Sequence, residues 1–189
     1  MLYVEIIAVI LTLAAVYLAA KQHSLSWPVG LLAICFYALL FFNVKLYADL
    51  SLQVFFFIQG VMGMVEWYRN REVNNTFICK IETLTYKQML IYSLSTFAMY
   101  VVASTLFANY TNAAAPYIDS LVATMSLTAN YLLVKRKIEN WLIWITVDLI
   151  YVGLFIYKGL YISAGLYAIL FILAIKGYYN WKKHLKENI

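Results

Sequence analysis

Five residues along one stretch of the chain, Trp141, Trp144, Asp148, Tyr151 and Phe155, recur at spacings of three, four, three and four. On an α-helix that spacing places them along one stripe. The stripe is aromatic and carries a single carboxylate. Indole and phenol planes stack on flat heterocycles and attract cations through the ring quadrupole, so the chemistry on offer is recognition of a flat, positively charged organic molecule. A buried structural hydrogen bond would also account for Asp148, and an aromatic interface belt for Trp141. Gln53 and Gln59 add neutral donors and acceptors, and Asn130, Ser126 and Thr124 are weaker candidates that equally suit helix packing. No nucleophile, general base and orienting partner assemble from these residues, so an enzyme is not expected. His23 and His184 are the only histidines, and Cys35 and Cys79 lie in an apolar run and a polar loop. Neither a metal site, a cofactor nor a disulfide is expected.

The element that must hold the stripe follows from its setting. Of the 189 residues, 65% are hydrophobic and only 12% charged, about half the charged share of an ordinary soluble domain. Mean hydropathy is +0.77. This is the composition of an integral membrane protein. Apolar runs cover residues 2–20, 27–42, 50–68, 89–106, 117–134, 141–157 and 162–179, each near the roughly 20 residues that a spanning helix needs. Seven spans leave no room for a nucleotide-binding domain, and the phosphate-loop pattern is absent. The first span carries Glu5 and lacks a basic start, so it reads as retained rather than as a signal peptide. Pro28 and Pro116 stand at span beginnings, where a missing N–H costs nothing.

Lys and Arg residues set the orientation, because cytoplasmic loops retain positive charge. Eleven of the fourteen fall on one side: Lys21, Arg69, Arg71, Lys80, Lys87, Lys135, Arg136, Lys137, Lys182, Lys183 and Lys186. Lys45 and Lys158 fall on the other, and Lys176 lies inside the last span. The N-terminus is therefore expected outside and the C-terminus inside. The net charge of +5 then reflects topology and contact with anionic lipid, with no nucleic-acid partner expected. Glu5, Asp119 and Glu66 suit span ends, whereas Asp148 lies mid-span, where an ionisable residue is costly and faces the bundle interior. The triplets starting at Asn74 and Asn109 match a glycosylation pattern, and nothing is assigned to them.

An offset of 114 residues aligns the chain with itself. Tyr3, Tyr17, Leu18, Lys21, Trp27, Tyr37, Phe41, Leu46, Tyr47, Phe57, Gly63 and Trp67 fall on Tyr117, Tyr131, Leu132, Lys135, Trp141, Tyr151, Phe155, Leu160, Tyr161, Phe171, Gly177 and Trp181 without a gap. Three spans reverse the chain's direction, so two three-span units lie parallel only if one further span separates them. The expected fold is all-α, with seven transmembrane helices as two parallel three-helix repeats joined by a linker helix. Residues 1–68 form the first repeat, 69–116 the cytoplasmic loop and linker helix, and 117–189 the second repeat with a basic tail. Parallel repeats about an axis along the membrane normal belong to transporters, with the site near mid-membrane. Neither a ring of charges nor a Gly-rich filter argues for a channel.

Trp27-Pro28-Val29-Gly30, the run from Leu46-Tyr47-Ala48-Asp49 through Leu52-Gln53-Val54-Phe55-Phe56, Glu139-Asn140-Trp141-Leu142-Ile143-Trp144 with Val147-Asp148, and Lys158-Gly159-Leu160-Tyr161 together resemble the Pnu family of vitamin transporters, over nearly the whole chain. The resemblance implies facilitated diffusion of a B-vitamin or its precursor across a bacterial inner membrane, with phosphorylation inside trapping the product, and a homotrimer in many members. It carries the family's Trp pair to Trp141 and Trp144, and its amide ligands to Gln53, Gln59 and Asn130. Thiamine and nicotinamide riboside are both flat cations. The resemblance leans to thiamine, with nicotinamide riboside as the alternative; riboflavin is neutral and larger. A SWEET-type sugar facilitator shares the helix count, but its Pro-Gln loop signature is missing. Trp144, one turn nearer mid-membrane, is expected to stack on the substrate, and Trp141 to close the inner side. Trp27 is expected to stand apart from the stack, because Gly30 replaces the second Trp of that repeat.

Overall fold

The structure is a computed structural model that describes residues 2–43, 45–69, 81–110, 115–157 and 159–187. Among them are seven helices: α1 (Leu2–Ala20), α2 (Ser26–Asn43), α3 (Tyr47–Arg69), α4 (Tyr86–Tyr110), α5 (Pro116–Val134), α6 (Asn140–Tyr157) and α7 (Tyr161–Glu187). No strand occurs among the described residues; one parallel bridge pairs Glu82 with Lys137. The spans read from the apolar runs all appear. α7 runs eight residues past its expected end, so Trp181, Lys182, Lys183 and Lys186 belong to a helix rather than to a tail. Cys79, Arg71, Lys80, Lys158 and the triplet starting at Asn74 lie outside the described residues.

Six of the helices are long and apolar enough to cross a membrane, and α5 is the exception. Its sequence explains why: Asp119, Ser120, Thr124, Ser126, Thr128 and Asn130 all sit within its 19 residues. Those groups are turned onto neighbouring helices, where Ser120, Thr124, Ser126 and Thr128 are buried. Hydroxyls on a buried helix bond back to the preceding turn. Ser120 donates to Pro116 O at 2.7 Å, Thr124 to Ser120 O at 2.9 Å, and Thr128 pairs with Thr96 of α4 at 2.7 Å. A polar helix is thus satisfied within the protein.

Four helix ends share one construction. α1, α2, α5 and α6 each stop at a residue with positive φ: Gln22 (58°), Lys45 (60°), Arg136 (53°) and Gly159 (71°). After each, the next N–H reaches back five residues: His23 to Leu18, Leu46 to Phe41, Lys137 to Leu132 and Leu160 to Phe155, at 2.8–2.9 Å. This is the Schellman arrangement, which satisfies the last carbonyls of a helix. Gln22 and Arg136, and Lys45 and Gly159, are each 114 residues apart.

Helix contacts form a closed circuit. α1 packs on α2, α2 on α3, α3 on α5, α5 on α6, α6 on α7 and α7 on α1, while among the described helices α4 packs on α5 alone. Outside the circuit, apolar side chains such as Leu94 and Phe97 of α4 and Leu149 of α6 are exposed, as lipid contact requires. The best-buried apolar cluster lies at the end where α1, α3 and α5 finish. It joins Trp27, Trp67, Trp141 and Trp181 to Ala19, Ala20, Ile81, Val134, Ile138 and Ala174. Trp27 meets Trp67 edge-on at 5.5 Å and 82°, and Trp141 meets Trp181 edge-on at 5.5 Å and 86°.

Candidate functional site

Inside the circuit lies a cavity of about 340 Å³, lined by residues of α1, α2, α3, α5, α6 and α7. Small-molecule sites occupy roughly 300–1,000 Å³. One wall is the stripe on α6, where the three-and-four spacing aims Trp141, Trp144, Asp148 and Tyr151 at the cavity. Phe155, the fifth member, is not in the lining and instead stacks under Tyr151 at 5.6 Å and 16°. Tyr167 of α7 completes this aromatic group, 4.4 Å from Tyr151 and 5.4 Å from Phe155 between ring centroids. Across the cavity, Tyr37 stacks on Phe41 at 5.8 Å and 20°.

Asp148 is buried, with 4% of its surface exposed. Among the described residues no hydrogen bond or salt bridge reaches its carboxylate, so the structural hydrogen bond considered from sequence is not found. A buried ionised carboxylate without a partner is costly. It lines the cavity together with Trp144, Tyr151 and Tyr167, a setting in which a cation would stabilise it through direct charge and through the rings. Asp49, in the first turn of α3, is the second carboxylate of the lining. Among the described residues no Lys, Arg or His lines the cavity.

The amides divide. Gln53 and Asn130 line the cavity and Gln59 does not. Gln59 sits behind Asn130: it accepts from Asn130 Nδ2 at 2.9 Å and donates its own Nε2 to Leu127 O at 3.1 Å. Its placement is that of a support for Asn130. Ser126 lines the cavity, whereas Thr124 is spent on Ser120 O.

Trp144 is half-buried, lines the cavity and rests on the four-tryptophan cluster. Trp141 is only 1% exposed and is no interface-belt residue. Its indole lies on Gly177, with ring atoms 2.8 Å from where a Cβ would stand. Trp27 takes the equivalent seat on Gly63, where the corresponding distance is 2.4 Å. Trp27 also lines the cavity, although Gly30 leaves it without the second Trp of its counterpart. Glycine is needed at both seats because any side chain would occupy the volume of the ring.

Asp49, Tyr37 and Tyr167 are lining residues that the stripe did not include. Tyr37 was signalled by its 114-residue relation to Tyr151. Asp49 stood in the sequence only as part of the run that carries the family resemblance, and it sits in the first turn of α3, where the helix dipole favours an acid; Tyr167 carried no signal among 17 tyrosines.

A family model described as the nicotinamide mononucleotide transporter matches residues 2–183. The nicotinamide riboside transporter PnuC of Escherichia coli (strain K12) is 27% identical over 209 aligned positions, covering 98% of this chain and 87% of that protein. The nicotinamide riboside transporter PnuC of Neisseria mucosa is 24% identical over 195, covering 96% and 73%. A solved structure titled as the crystal structure of the vitamin B3 transporter PnuC superposes with a TM-score of 0.80 at 20% identity, covering 98% of this chain and 83% of that one. That superposition bears on the fold.

Proposed function

The chain belongs to the nicotinamide mononucleotide transporter family, a family of membrane transporters and not of enzymes, and we propose that its own substrate is nicotinamide riboside. The observation that carries this reading is the unpaired, buried Asp148 on an aromatic wall. A pyridinium ring carries its positive charge in a flat heterocycle, so it can stack on Trp144 while neutralising Asp148. Thiamine, toward which the sequence leans, meets the same two demands. The two relatives described above carry nicotinamide riboside in their names, and the preference moves to that alternative.

The family's name points to the mononucleotide, but the lining argues for the riboside. A phosphate adds negative charge to a cavity that holds Asp49 and Asp148 and, among the described residues, no basic side chain. Like charges near a low-dielectric surface repel by several kcal/mol at close range. The same rejection supplies the trap: once phosphorylated inside, the product is excluded from the path by which it entered. Transport is then facilitated diffusion, consistent with a sequence that lacks the phosphate-loop pattern.

Architecture and orientation belong to the same reading. We take α1–α3 and α5–α7 as parallel repeats with α4 as linker, seven spans in all, across a bacterial inner membrane with the basic loops on the cytoplasmic side. Support comes from the paired Schellman ends, the two Trp–Gly–Trp seats and the contact of α4 with α5 alone.

The test is a titration of the purified protein in nanodiscs with nicotinamide riboside, thiamine and nicotinamide mononucleotide. The riboside should bind tightest, and the mononucleotide should bind weaker by roughly tenfold or more, the factor for each 1.4 kcal/mol. Tighter binding of thiamine would return the first reading, and equal binding of the mononucleotide would refute the charge argument. Liposomes preloaded with riboside should exchange it without ATP or an ion gradient.

A further inference from the structure

The four tryptophans clustered at one end of the cavity are not equivalent, and of them Trp27 and Trp141 line it. Trp67 and Trp181 are anchored, donating their indole N–H to Val134 O at 3.2 Å and to Ala19 O at 3.1 Å. Trp27 and Trp141 have buried indole N–H groups with no hydrogen-bond partner among the described residues, and the buried Ser26 hydroxyl beside Trp27 has none either. A buried N–H left unpaired costs free energy comparable to a lost hydrogen bond. Shape holds these two rings, through the seats on Gly63 and Gly177.

The turns that carry the two free rings differ. The turn before Trp141 is strapped from outside. Residues 82–84 pair with it through Glu82 N to Arg136 O at 3.1 Å, Ile138 N to Glu82 O at 3.0 Å and Leu84 N to Glu139 Oε1 at 2.9 Å. Lys137 Nζ meets Glu82 Oε2 at 2.7 Å, and Arg136 reaches Glu66 O at 3.2 Å. The turn before Trp27 has only local bonds, such as His23 N to Leu18 O and Ser26 N to His23 O. Among the described residues no hydrogen bond from another element reaches residues 21–27; the nearest, from Asn180, stops at Ala20 O on α1.

We propose that Trp27 is the moving leaf of a gate at this end of the cavity, and that Trp141, strapped by residues 82–84, is its fixed jamb. The start of α2 swings off Gly63, opens the cavity at the end that the basic loops occupy, and lets water reach the Trp27 N–H and the Ser26 hydroxyl. Closure returns the ring to its seat against the anchored Trp67. This rests on the reading of the cavity as the substrate path of a transporter.

Cysteine labelling tests it without any substrate. In a variant with Cys35 and Cys79 replaced, Ser26→Cys and its repeat counterpart Asn140→Cys are exposed to a membrane-impermeant maleimide in inside-out vesicles. Ser26→Cys should react roughly tenfold faster, as expected for a locally opening segment beside a closed one. Adding Gly63→Ala, which puts a Cβ where the ring sits, should raise the Ser26→Cys rate further and leave Asn140→Cys unchanged. Adding Glu82→Ala removes the ion pair with Lys137 and leaves the backbone bonds of the strap in place, so it should raise the Asn140→Cys rate only part of the way toward that of Ser26→Cys. Equal or faster labelling of Asn140→Cys with the strap intact overturns the proposal, as does a Ser26→Cys rate indifferent to Gly63→Ala. The first contrast needs no glycine variant, so a misfolded Gly63→Ala protein leaves the proposal falsifiable. Riboside binding to the unmodified protein is measured separately: its loss with the labelling contrast intact would sink the substrate reading and not the gate.

Discussion

Two walls of the cavity stand 114 residues apart in sequence and are built differently. α6 presents Trp144, Asp148 and Tyr151, and at the matching places α2 presents Gly30, Ile34 and Tyr37. Elsewhere the halves agree: the two Trp–Gly–Trp seats, the two stacked Tyr–Phe pairs and the positive-φ helix ends all recur. Agreement marks packing and helix termination, and disagreement marks chemistry. Gly30 makes the point in one residue. A Cβ there would meet Ala15 at 3.7 Å, so a small residue lets α1 lie close against α2 where its counterpart supplies an indole.

The largest expected effect breaks the frame rather than the site. Trp181 is 0% and Trp67 1% exposed, and truncating a buried Trp to Ala costs about 3–5 kcal/mol. Trp67→Ala and Trp181→Ala should therefore lower the thermal unfolding midpoint in detergent by similar amounts. Trp→Phe at either place should cost less, since a phenyl ring keeps part of the packing; it loses the bond to Val134 or Ala19, about 0.5–1.5 kcal/mol, and the remainder of the indole's contacts. A large effect in only one half would mean that the matched seats are not mechanically equivalent.

Next come the unmatched residues of α6. Asp148→Asn keeps the shape and removes the charge, and should weaken nicotinamide riboside by about 1–3 kcal/mol, the reach of one partly desolvated pair. That is roughly ten- to a hundredfold in Kd. Ile34→Ala on the opposite wall should change affinity little. Unchanged binding in Asp148→Asn, with the protein still folded, would leave recognition to the aromatics alone.

Trp144→Ala comes after that. Stacking of a base on an aromatic side chain is worth about 1–3 kcal/mol by alanine substitution, and a pyridinium is a fair analogue. Trp27→Ala, measured beside it by substrate quenching of Trp fluorescence, should slow exchange more than it weakens binding. Equal affinity losses for the two would place Trp27 in the stack instead of in the gate.

What the residues announced, and what they hid, follows the same division. Span boundaries were legible because lipid demands long apolar runs; α1 came out at its observed limits, and α6 and α5 within one residue. α7 was cut short because hydropathy cannot follow a helix into water, where its lysines are solvated. The α6 stripe was legible because helical spacing alone puts its residues on one face. Tyr167 was not, since its place depends on how α7 meets α6, and the repeat offers Gln53 at its matching position. Trp27 was legible only as the Trp of the first repeat that lacks a second one. The missing second Trp set it apart from the stack, and the match of Gly63 with Gly177 does not by itself say that each glycine faces an indole.

The smallest effect separates touching the substrate from holding what touches it. Asn130 lines the cavity and Gln59 stands behind it, bonded to it at 2.9 Å. A hydrogen bond of this kind is worth about 0.5–1.5 kcal/mol net, so Gln59→Leu should weaken riboside binding roughly threefold to tenfold. Asn130→Ala removes the contacting amide itself and should cost at least as much. If Gln59 acts only by orienting Asn130, the double variant should bind no worse than Asn130→Ala alone, because the support has nothing left to hold. Residues in direct contact show such non-additivity, whereas independent ones add. Additive losses in that cycle would mean that Gln59 reaches the substrate on its own, which requires α3 to turn relative to α5 when the site is filled.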